Sequence, residues 1–355
     1  MKIREFQVQN FRSLKNVSLE NIGDLGVFIG GNSSGKSNLL EAMWLFFNEF
    51  DPSPQRNVGS VNDYIWFKRR FEEPIQLKLA LDVSKDELMK ILPEQIYNLM
   101  TLKDTNRLEI ARQITGTATA ASWSTKSVRV DEQDLIKDGQ FVFKFEEPKT
   151  EAQASQPKVP PAELYGRILQ NLSQMLKGKF RVVLAARNAV GSPGRLGDRV
   201  SFIQPSTIGE LTTYGQSSER DHQQRFMRVE EYVKTVSPDI QDLRVIASQV
   251  TLREKDRDLL LPVSLVGGGY QEILALAHEL RKEPDVVYGL EEPEQHLHPE
   301  LARHLLDILK TISKDRQIFI TTHSTVFVDR VELGNHWIVR KEDEQTSVVR
   351  LKESE

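Results

Sequence analysis

The 355-residue chain has no cysteine, which excludes disulfides and thiolate metal sites. It has no apolar run near the roughly 18 residues that cross a membrane, and its first residues carry charges where a signal peptide needs apolar residues. The formal net charge of −4 gives no overall attraction to nucleic acid, so DNA contact would need a local basic patch. These absences predict a soluble, cytoplasmic, globular protein.

A phosphate-binding loop is indicated by GGNSSGKS from Gly30 to Ser37, which fills every fixed position of G-x-x-x-x-G-K-S between an apolar strand and a helix. Backbone N–H groups at such a helix start attract phosphate. Lys36 is expected to reach the β- and γ-phosphates of ATP, and the Ser37 hydroxyl to ligate Mg²⁺. The alternative is a chance Gly/Ser turn. The predicted nucleotide-binding residues are Gly30, Asn32, Ser33, Ser34, Gly35, Lys36, Ser37 and Asn38.

A phosphate loop needs an acidic element opposite it, and DVVYGLEEPEQHLHPEL supplies a candidate. Val286–Leu290 is typical of a central parallel strand, and Glu291 and Glu292 follow at its carboxyl end, where ligands bind in open α/β sheets. Glu291 is expected to help hold the Mg²⁺ shell, and Glu292 to orient or deprotonate the attacking water. An ordinary acidic turn at a strand end is the alternative.

A further apolar strand, RQIFITTHS, ends at His323, one amphipathic helix beyond the acidic pair. We expect His323 on the strand next to that of Glu291, in one βαβ unit. There it could hydrogen-bond the γ-phosphate or the attacking water. A capped surface histidine is the alternative.

The third glycine-containing segment, SLVGGGYQEILALAHEL, runs into an apolar helix and suggests a second anion site at Gly267, Gly268 and Gly269. A single triphosphate does not need two such loops from one chain. The prediction is that this loop contacts the γ-phosphate held by a second copy, so that ATP joins two subunits. A turn packed tightly on a neighbouring element would also explain the glycines.

In the rest of the chain, the spacing of apolar residues predicts which stretches form strands and which form helices. The N-terminal stretch 2–21, and later the stretches 74–83, 107–115, 121–130, 140–145 and 180–186, are strand-like, whereas 84–102 and 162–176 are helical. A solvated linker is predicted at 146–163, which holds four prolines, and a polar loop at 187–218. Two stretches combine cations with aromatic residues or glycines, WFKRRF (66–71) and RNAVGSPGRLGDR (187–199). They could bind DNA or simply line a solvated face.

The order of NFRSLKNVSL, GGNSSGKSNLLEAM, VGGGYQEILAL, LEEPEQHLHPEL and ITTHS resembles the ABC-type ATPases of the OLD group, related to RecF and SMC heads. The resemblance implies an α/β head with a mainly parallel central sheet, an antiparallel N-terminal β part and a mixed α/β insertion. The expected division is an N-terminal ATPase lobe (1–83), an insertion (84–179) and a C-terminal lobe (180–355). Val266 replaces the serine of the usual Leu-Ser-Gly-Gly loop, and Glu291 the usual aspartate. Gln76 is a guess for the glutamine loop.

By this resemblance, nucleotide binds between Lys36 and the glycine loop of a partner copy, and hydrolysis opens the dimer. Only 32 residues follow His323, so a Toprim nuclease domain is not expected, and the missing heptads argue against SMC coiled coils. Three functions remain open. The chain could be an ATPase switch for a separately encoded effector in phage defence, a RecF-like DNA-repair ATPase, or a slowly hydrolysing oligomeric scaffold.

Overall fold

The computed structural model describes residues 1–48, 67–70, 72–116, 121–144, 159–184, 199–201, 205–255, 260–280, 285–295, 297–328 and 335–351. The strands in chain order are β1 (Lys2–Phe11), β2 (Leu14–Leu19), β3 (Leu25–Ile29), β4 (Ile75–Ser84), β5 (Thr105–Gly116), β6 (Ala121–Val130), β7 (Gln133–Lys137), β8 (Gln140–Phe141), β9 (Phe180–Leu184), β10 (Arg199–Ser201), β11 (Ile240–Ile246), β12 (Gln249–Glu254), β13 (Leu260–Pro262), β14 (Val287–Glu291), β15 (Ile318–Thr322), β16 (His336–Glu342) and β17 (Gln345–Arg350). The helices are α1 (Lys36–Asn48), α2 (Lys85–Ile91), α3 (Glu94–Tyr97), α4 (Pro161–Leu176), α5 (Pro205–Gln216), α6 (Arg220–Val236), α7 (Gly268–Leu280), α8 (Pro299–Ser313) and α9 (Thr325–Val328).

Two compact units are built from interleaved parts of the chain. The first contains Met1–Gly23, Gly31–Phe180 and Ile338–Arg350, and the second contains Asp24–Gly30, Arg181–Trp337 and Leu351–Glu355. The unit boundary within the phosphate-loop motif falls between Gly30 and Gly31. The three-part division made from the sequence stays a prediction.

The first unit is organised around an antiparallel sheet ordered β2-β1-β4-β5-β6-β7-β8. Alternation of apolar and polar residues produces it: in β1, Ile3, Phe6 and Val8 are buried, while their sequence neighbours are partly exposed. Phe6 pairs with Leu79, and Leu79 pairs with Ile110 of the next strand. Helix α1 adds a buried apolar face that includes Leu39 and Phe46. Side-chain burial on one face therefore sets the register of this sheet.

The second unit has strands ordered β10-β9-β14-β15-β3, with parallel pairing of β9 to β10, β14 to β15, and β15 to β3. All five residues of both β14 and β15 are buried, as expected for central parallel strands. Phe28 of β3 stacks on Phe319 of β15, with ring centroids 5.9 Å apart. A Cβ at Gly26 would lie 2.9 Å from the Phe319 ring, so glycine permits this packing. A small antiparallel sheet, β11-β12-β13, completes the unit.

Most predicted elements are found, but four predictions need correction. The helix predicted over 84–102 is two short helices, because Leu92 is extended and Pro93 cannot continue the helix. The polar loop predicted over 187–218 contains α5, whose narrow apolar stripe includes the buried Leu211. Of the described residues in 140–144, only Gln140 and Phe141 form a strand, and Phe145 lies outside the described residues. Helix α4 begins within the last residues of the predicted linker, of which 146–158 lie outside the described residues.

No helix in the described part of the chain is long and apolar enough to cross a membrane.

Candidate active site

The phosphate loop begins where β3 ends and runs into α1, as the sequence predicts. Gly35 has φ +107° and an added Cβ would lie 2.2 Å from Thr346 Oγ1, so this position requires glycine. Lys36 is buried, and its Nζ donates a hydrogen bond to Gly31 O at 2.9 Å. The Ser34 hydroxyl is buried and has no hydrogen-bond partner among the described residues. In contrast, the exposed residues are Gly31, Asn32, Ser33 and Ser37.

These features fit a phosphate ligand. Exposed backbone at the start of a helix of 13 residues offers N–H donors. Lys36 adds a cation, and the hydrogen bond of its Nζ to the Gly31 carbonyl holds that cation at the loop. The exposed Ser37 hydroxyl is an oxygen donor of the kind that Mg²⁺ binds together with nucleotide phosphates and water. Within the described ranges no group of three or more His, Asp or Glu residues could hold a metal on its own.

The acidic strand end lies in the second unit. Strands β14 and β15 are parallel, with Glu291 opposite Thr321, so both strands end at the same edge of the sheet. Glu291 is the last residue of β14 and is 5% exposed. The neighbouring strand β3 ends at this edge too, and the Gly30 N–H donates to Thr322 O at 3.4 Å. The start of the phosphate loop is therefore next to the strand that carries His323.

Glu292 has an unusual backbone, with φ +43°. Its N–H donates to Thr321 O at 2.9 Å, and its carboxylate is held by Gln295 Nε2. Left-handed backbone at a residue other than glycine costs of order 1 kcal/mol and is concentrated at functional sites. Glu292 is the first residue after β14, and its carboxylate lies beside His323.

His323 lies directly after β15, as predicted, and its side chain is 52% exposed. Its Nδ1 is 3.3 Å from Glu292 Oε1. A hydrogen on Nδ1 would satisfy this contact and leave Nε2 of the neutral ring as an acceptor, whereas the protonated ring would donate from both nitrogens. The structure thus brings Glu291, Glu292 and His323 together at one edge of one sheet.

Glu294 is a site residue that the sequence reasoning missed. It is 8% exposed, and the Thr322 hydroxyl donates a hydrogen bond to its Oε1. Burial raises the pKa of Glu294 above its ordinary value. Its Oε2 has no hydrogen-bond partner in the part of the chain that the structure describes. The signal in the sequence is the third carboxylate of the Glu-Glu-Pro-Glu run, which served only as part of the family resemblance.

The second glycine loop is exposed at Gly267 and Gly268, where an added Cβ would have no neighbour within 4 Å in the part of the chain that the structure describes. Neither is among the described glycines with positive φ. Gly269 lies in the first turn of α7. Leu265 just before the loop is 72% exposed, and Gln271 Nε2 donates to Val266 O at 3.0 Å.

Tyr270 fixes the start of α7 on its other side. The Tyr270 hydroxyl donates to Asp239, which lies just before β11. Burial, together with the nearby Asp239 carboxylate, raises the pKa of the Tyr270 hydroxyl. The loop is therefore anchored at both ends while its glycines stay open.

Two other sequence predictions concern residues away from these elements. Gln76 is paired within β4, between Gln9 and Gln113, so it does not lie in a loop as a glutamine-loop residue would. In the 66–71 stretch, Lys68 Nζ is 3.4 Å from Glu344 and Arg70 is 3.6 Å from Glu73. Trp66 and Phe71 lie outside the described residues, as does 187–198 of the second cationic stretch.

Solved structures with the same fold include the SMC head domain from Thermotoga maritima, at a TM-score of 0.54 and 14% identity over 99% of this chain and 100% of that chain. An SmcHead bound to the C-winged helix domain of ScpA has a TM-score of 0.57 and 16% identity over 100% of this chain and 98% of that chain. The likeness confirms the predicted α/β ATPase-head fold with its parallel and antiparallel strands.

Sequence relatives agree with this fold. An ATP/GTP phosphatase of Helicobacter pylori is 21% identical over 369 residues, which cover 99% of this chain and 93% of that protein. The DNA replication and repair protein RecF of Heliobacterium modesticaldum is 21% identical over 384 residues, covering 98% of this chain and 99% of that protein. The AAA ATPase domain family matches residues 1–328. The chain therefore belongs to the AAA ATPase domain family and is an ATPase.

Proposed function

We propose that the chain is an ATP-operated switch in which two copies associate around ATP and separate after hydrolysis. Each copy would bind the triphosphate in its own phosphate loop, while Gly267–Gly269 of the other copy contact the γ-phosphate. The observation that carries this proposal is the open space around Gly267 and Gly268.

A glycine in a folded protein usually answers a need of its own chain, either a positive φ or the close approach of another element. Gly267 and Gly268 meet neither need, since their φ values are not positive and a Cβ would contact none of the residues that the structure describes. The anchoring of the loop at Val266 and Tyr270 makes a merely mobile turn a poor explanation. Gly166 shares the open space, so open space alone does not require a partner; at Gly267 and Gly268 the start of α7 adds the N–H donors that a phosphate held by a second copy would use.

The nucleotide assignment uses residues of this chain in defined roles. The N–H groups from Gly31 to Ser37 and the Lys36 ammonium would bind phosphate oxygens, and Ser37 and Glu291 would ligate Mg²⁺. The metal would neutralise charge on the transferred phosphoryl group. Glu291 is buried at the end of a rigid strand, so its carboxylate would be held in place before the nucleotide binds.

Glu292 is proposed as the base for hydrolysis. Its carboxylate would take a proton from water as the water oxygen bonds to the γ-phosphorus, and the bond from the γ-phosphorus to the bridging oxygen breaks to release ADP and phosphate. Gln295 and His323 hold the carboxylate from two sides. His323 is half exposed and could accept a hydrogen bond from the same water or donate one to the γ-phosphate.

A separately encoded effector is proposed as the partner that the switch controls. The SmcHead structure supports this, since that head is bound to a domain of another protein, ScpA. The effector could be a nuclease, and a role in phage defence rests on the OLD-like order of the motifs alone. Copurification from the native host, followed by mass spectrometry, tests the existence of such a partner.

The test of the two-copy switch is Gly268→Asp, which places a carboxylate where the γ-phosphate of the other copy would lie. We expect this variant to bind ATP as a monomer but neither to associate nor to hydrolyse it. Light scattering with and without ATP, together with phosphate release, measures both properties. Gly166→Asp is the matched control, because Gly166 on α4 is also exposed with no neighbour within 4 Å of an added Cβ. ATP-dependent association of Gly268→Asp would contradict the proposal.

A RecF-like DNA-repair ATPase is the second candidate, supported by the RecF relative that matches nearly the whole chain. The glutamates beside Lys68 and Arg70 reduce the local positive charge that DNA binding would use. Duplex and single-stranded DNA that raise turnover, with a salt-dependent affinity, would favour this function over the effector switch.

A further inference from the structure

Thr346 of β17 lies behind the phosphate loop, although it is 312 residues from Ser34 in the sequence. It is fully buried, and its hydroxyl is 2.8 Å from Ser34 O and 2.7 Å from Ser13 Oγ. Its backbone N–H donates to Ser13 O at 2.7 Å, which fixes the hydroxyl in place. All of these residues belong to the first unit.

Asn38 extends this set of contacts into α1. Its Nδ2 donates to Ser13 Oγ at 2.7 Å, and its Oδ1 accepts from Arg12 at 3.3 Å. Each hydroxyl has one hydrogen, so one arrangement fills every contact: Asn38 donates to Ser13, Ser13 donates to Thr346, and Thr346 donates to Ser34 O. The series begins at a guanidinium and ends at a carbonyl of the phosphate loop. Hydrogen bonds in such a series strengthen one another.

The contact to Ser34 O controls the direction of a peptide group. In a planar trans peptide the carbonyl and the following N–H point in opposite directions. A Ser34 carbonyl bound to Thr346 therefore directs the Gly35 N–H away from Thr346. A Cβ at Gly35 would lie 2.9 Å from Thr346 Cγ2, so the Thr346 side chain is close to Gly35 as well as to the Ser34 carbonyl.

We propose that Thr346 is a positioning residue for nucleotide binding, whose hydroxyl holds the Ser34–Gly35 peptide with its N–H facing the phosphate. The inference rests on the proposed role of the phosphate loop. Thr346 touches no phosphate itself. Its effect is on the affinity for both ATP and ADP, because both nucleotides place a β-phosphate in the loop.

The experiment compares Thr346→Val, which keeps the shape and removes the hydroxyl, with Thr346→Ser, which keeps the hydroxyl. We expect Thr346→Val to raise the Kd for ADP and the KM for ATP about tenfold, as for a buried carbonyl that loses its donor. The kcat of Thr346→Val should stay within about threefold of that of the unmodified protein, because the lost contact stabilises the ground state and the transition state equally. Thr346→Ser should bind ADP within about twofold of the unmodified protein.

Thr125→Val is the matched control, since Thr125 is a buried threonine of β6 outside this series of contacts. Wild-type affinity in Thr346→Val, an equal loss in Thr346→Ser, or an equal loss in Thr125→Val would each overturn the positioning role. If Thr346→Val does not fold, Thr346→Ala is compared with Thr346→Ser, and equal ADP affinities in that pair overturn it. Lys36→Ala distinguishes failure of the Thr346 role from failure of the phosphate-loop assignment. If Lys36→Ala keeps its ADP affinity, the phosphate-loop assignment itself fails.

Discussion

The two glycine-containing loops differ in why they contain glycine. In the phosphate loop, Gly35 has φ +107° and a Cβ there would collide with Thr346, so the fold of this chain demands glycine. In the second loop, Gly268 has ordinary backbone geometry and open space around it. Both loops lead into a 13-residue helix, and both were predicted to bind phosphate.

The difference separates a site that is complete within one chain from a surface that lacks its counterpart. Residues packed behind the phosphate loop explain its shape without any ligand. The second loop is held at Val266 and Tyr270, yet among the described residues no atom lies within 4 Å of where a Cβ at Gly267 or Gly268 would be. This contrast supports the view that a second copy supplies what faces Gly268.

The largest expected effect comes from replacing one glycine of each loop with alanine, which tests the comparison directly. Gly35→Ala should weaken ATP binding at least ~100-fold and lower the Tm, because the methyl group meets Thr346 and φ is unfavourable for alanine. Gly268→Ala should leave Tm and monomer ATP affinity unchanged while it weakens ATP-dependent association. Calorimetric titration and thermal unfolding measure these quantities. A fall in Tm in Gly268→Ala equal to that in Gly35→Ala would show that both glycines serve the fold.

The next effect concerns turnover without loss of binding. Glu292→Gln keeps the size of the side chain and one acceptor oxygen but removes the base, so turnover should fall by roughly 10² or more while ATP still binds. The variant should then accumulate as an ATP-bound pair of copies. Phosphate release and light scattering measure the two outcomes, and Glu300→Gln on α8 is an exposed control. Normal turnover would move the base elsewhere, with Glu291 the next candidate.

A smaller effect is expected from His323→Ala. Turnover should fall about tenfold, since the histidine is proposed to contact water or the γ-phosphate, and ADP affinity should not change. Separate titrations with ADP and with a non-hydrolysable ATP analogue distinguish the roles. Equal weakening of both nucleotides would mark His323 as a structural residue.

The smallest effect concerns Glu272 on the helix that follows the second loop. Burial raises the pKa of Glu272 to about 7, from an ordinary value of about 4.5. Between these values the folded chain keeps a proton that the unfolded chain releases, so the free energy of unfolding falls as pH rises. Glu272→Gln should remove this decrease of the free energy of unfolding with rising pH. Its Tm should exceed that of the unmodified protein by a few degrees at pH 8 and match it at pH 4; equal Tm values at pH 8 would contradict the assignment.

Local patterns sufficed for the elements that carry chemistry. The phosphate loop, the acidic strand end and His323 were predicted because strand, turn and helix signals are adjacent in the sequence at each of them. The placement of His323 after the strand next to that of Glu291 followed from the βαβ rule, and the parallel pairing of Glu291 with Thr321 confirms it. The site roles of these residues stay predictions.

Contacts between distant residues could not be read from the same patterns. Thr346 looks like any residue of a C-terminal strand, and only the folded chain places it against Ser34. The left-handed backbone of Glu292 has no sequence signal of its own, because non-glycine residues adopt it only when surrounding contacts impose it. Helix α5 was missed because its apolar stripe is too narrow to stand out in a polar segment.

The most direct test of the two-copy mechanism mixes Gly268→Asp with Glu292→Gln. In a mixed pair, one composite site combines the intact base and phosphate loop of the first variant with the intact glycine loop of the second, while the other site carries both defects. We predict that each variant alone is inactive and that the mixture recovers up to about half of the normal rate per pair. A mixture no faster than the sum of its parts, or normal hydrolysis by Gly268→Asp alone, would contradict the account.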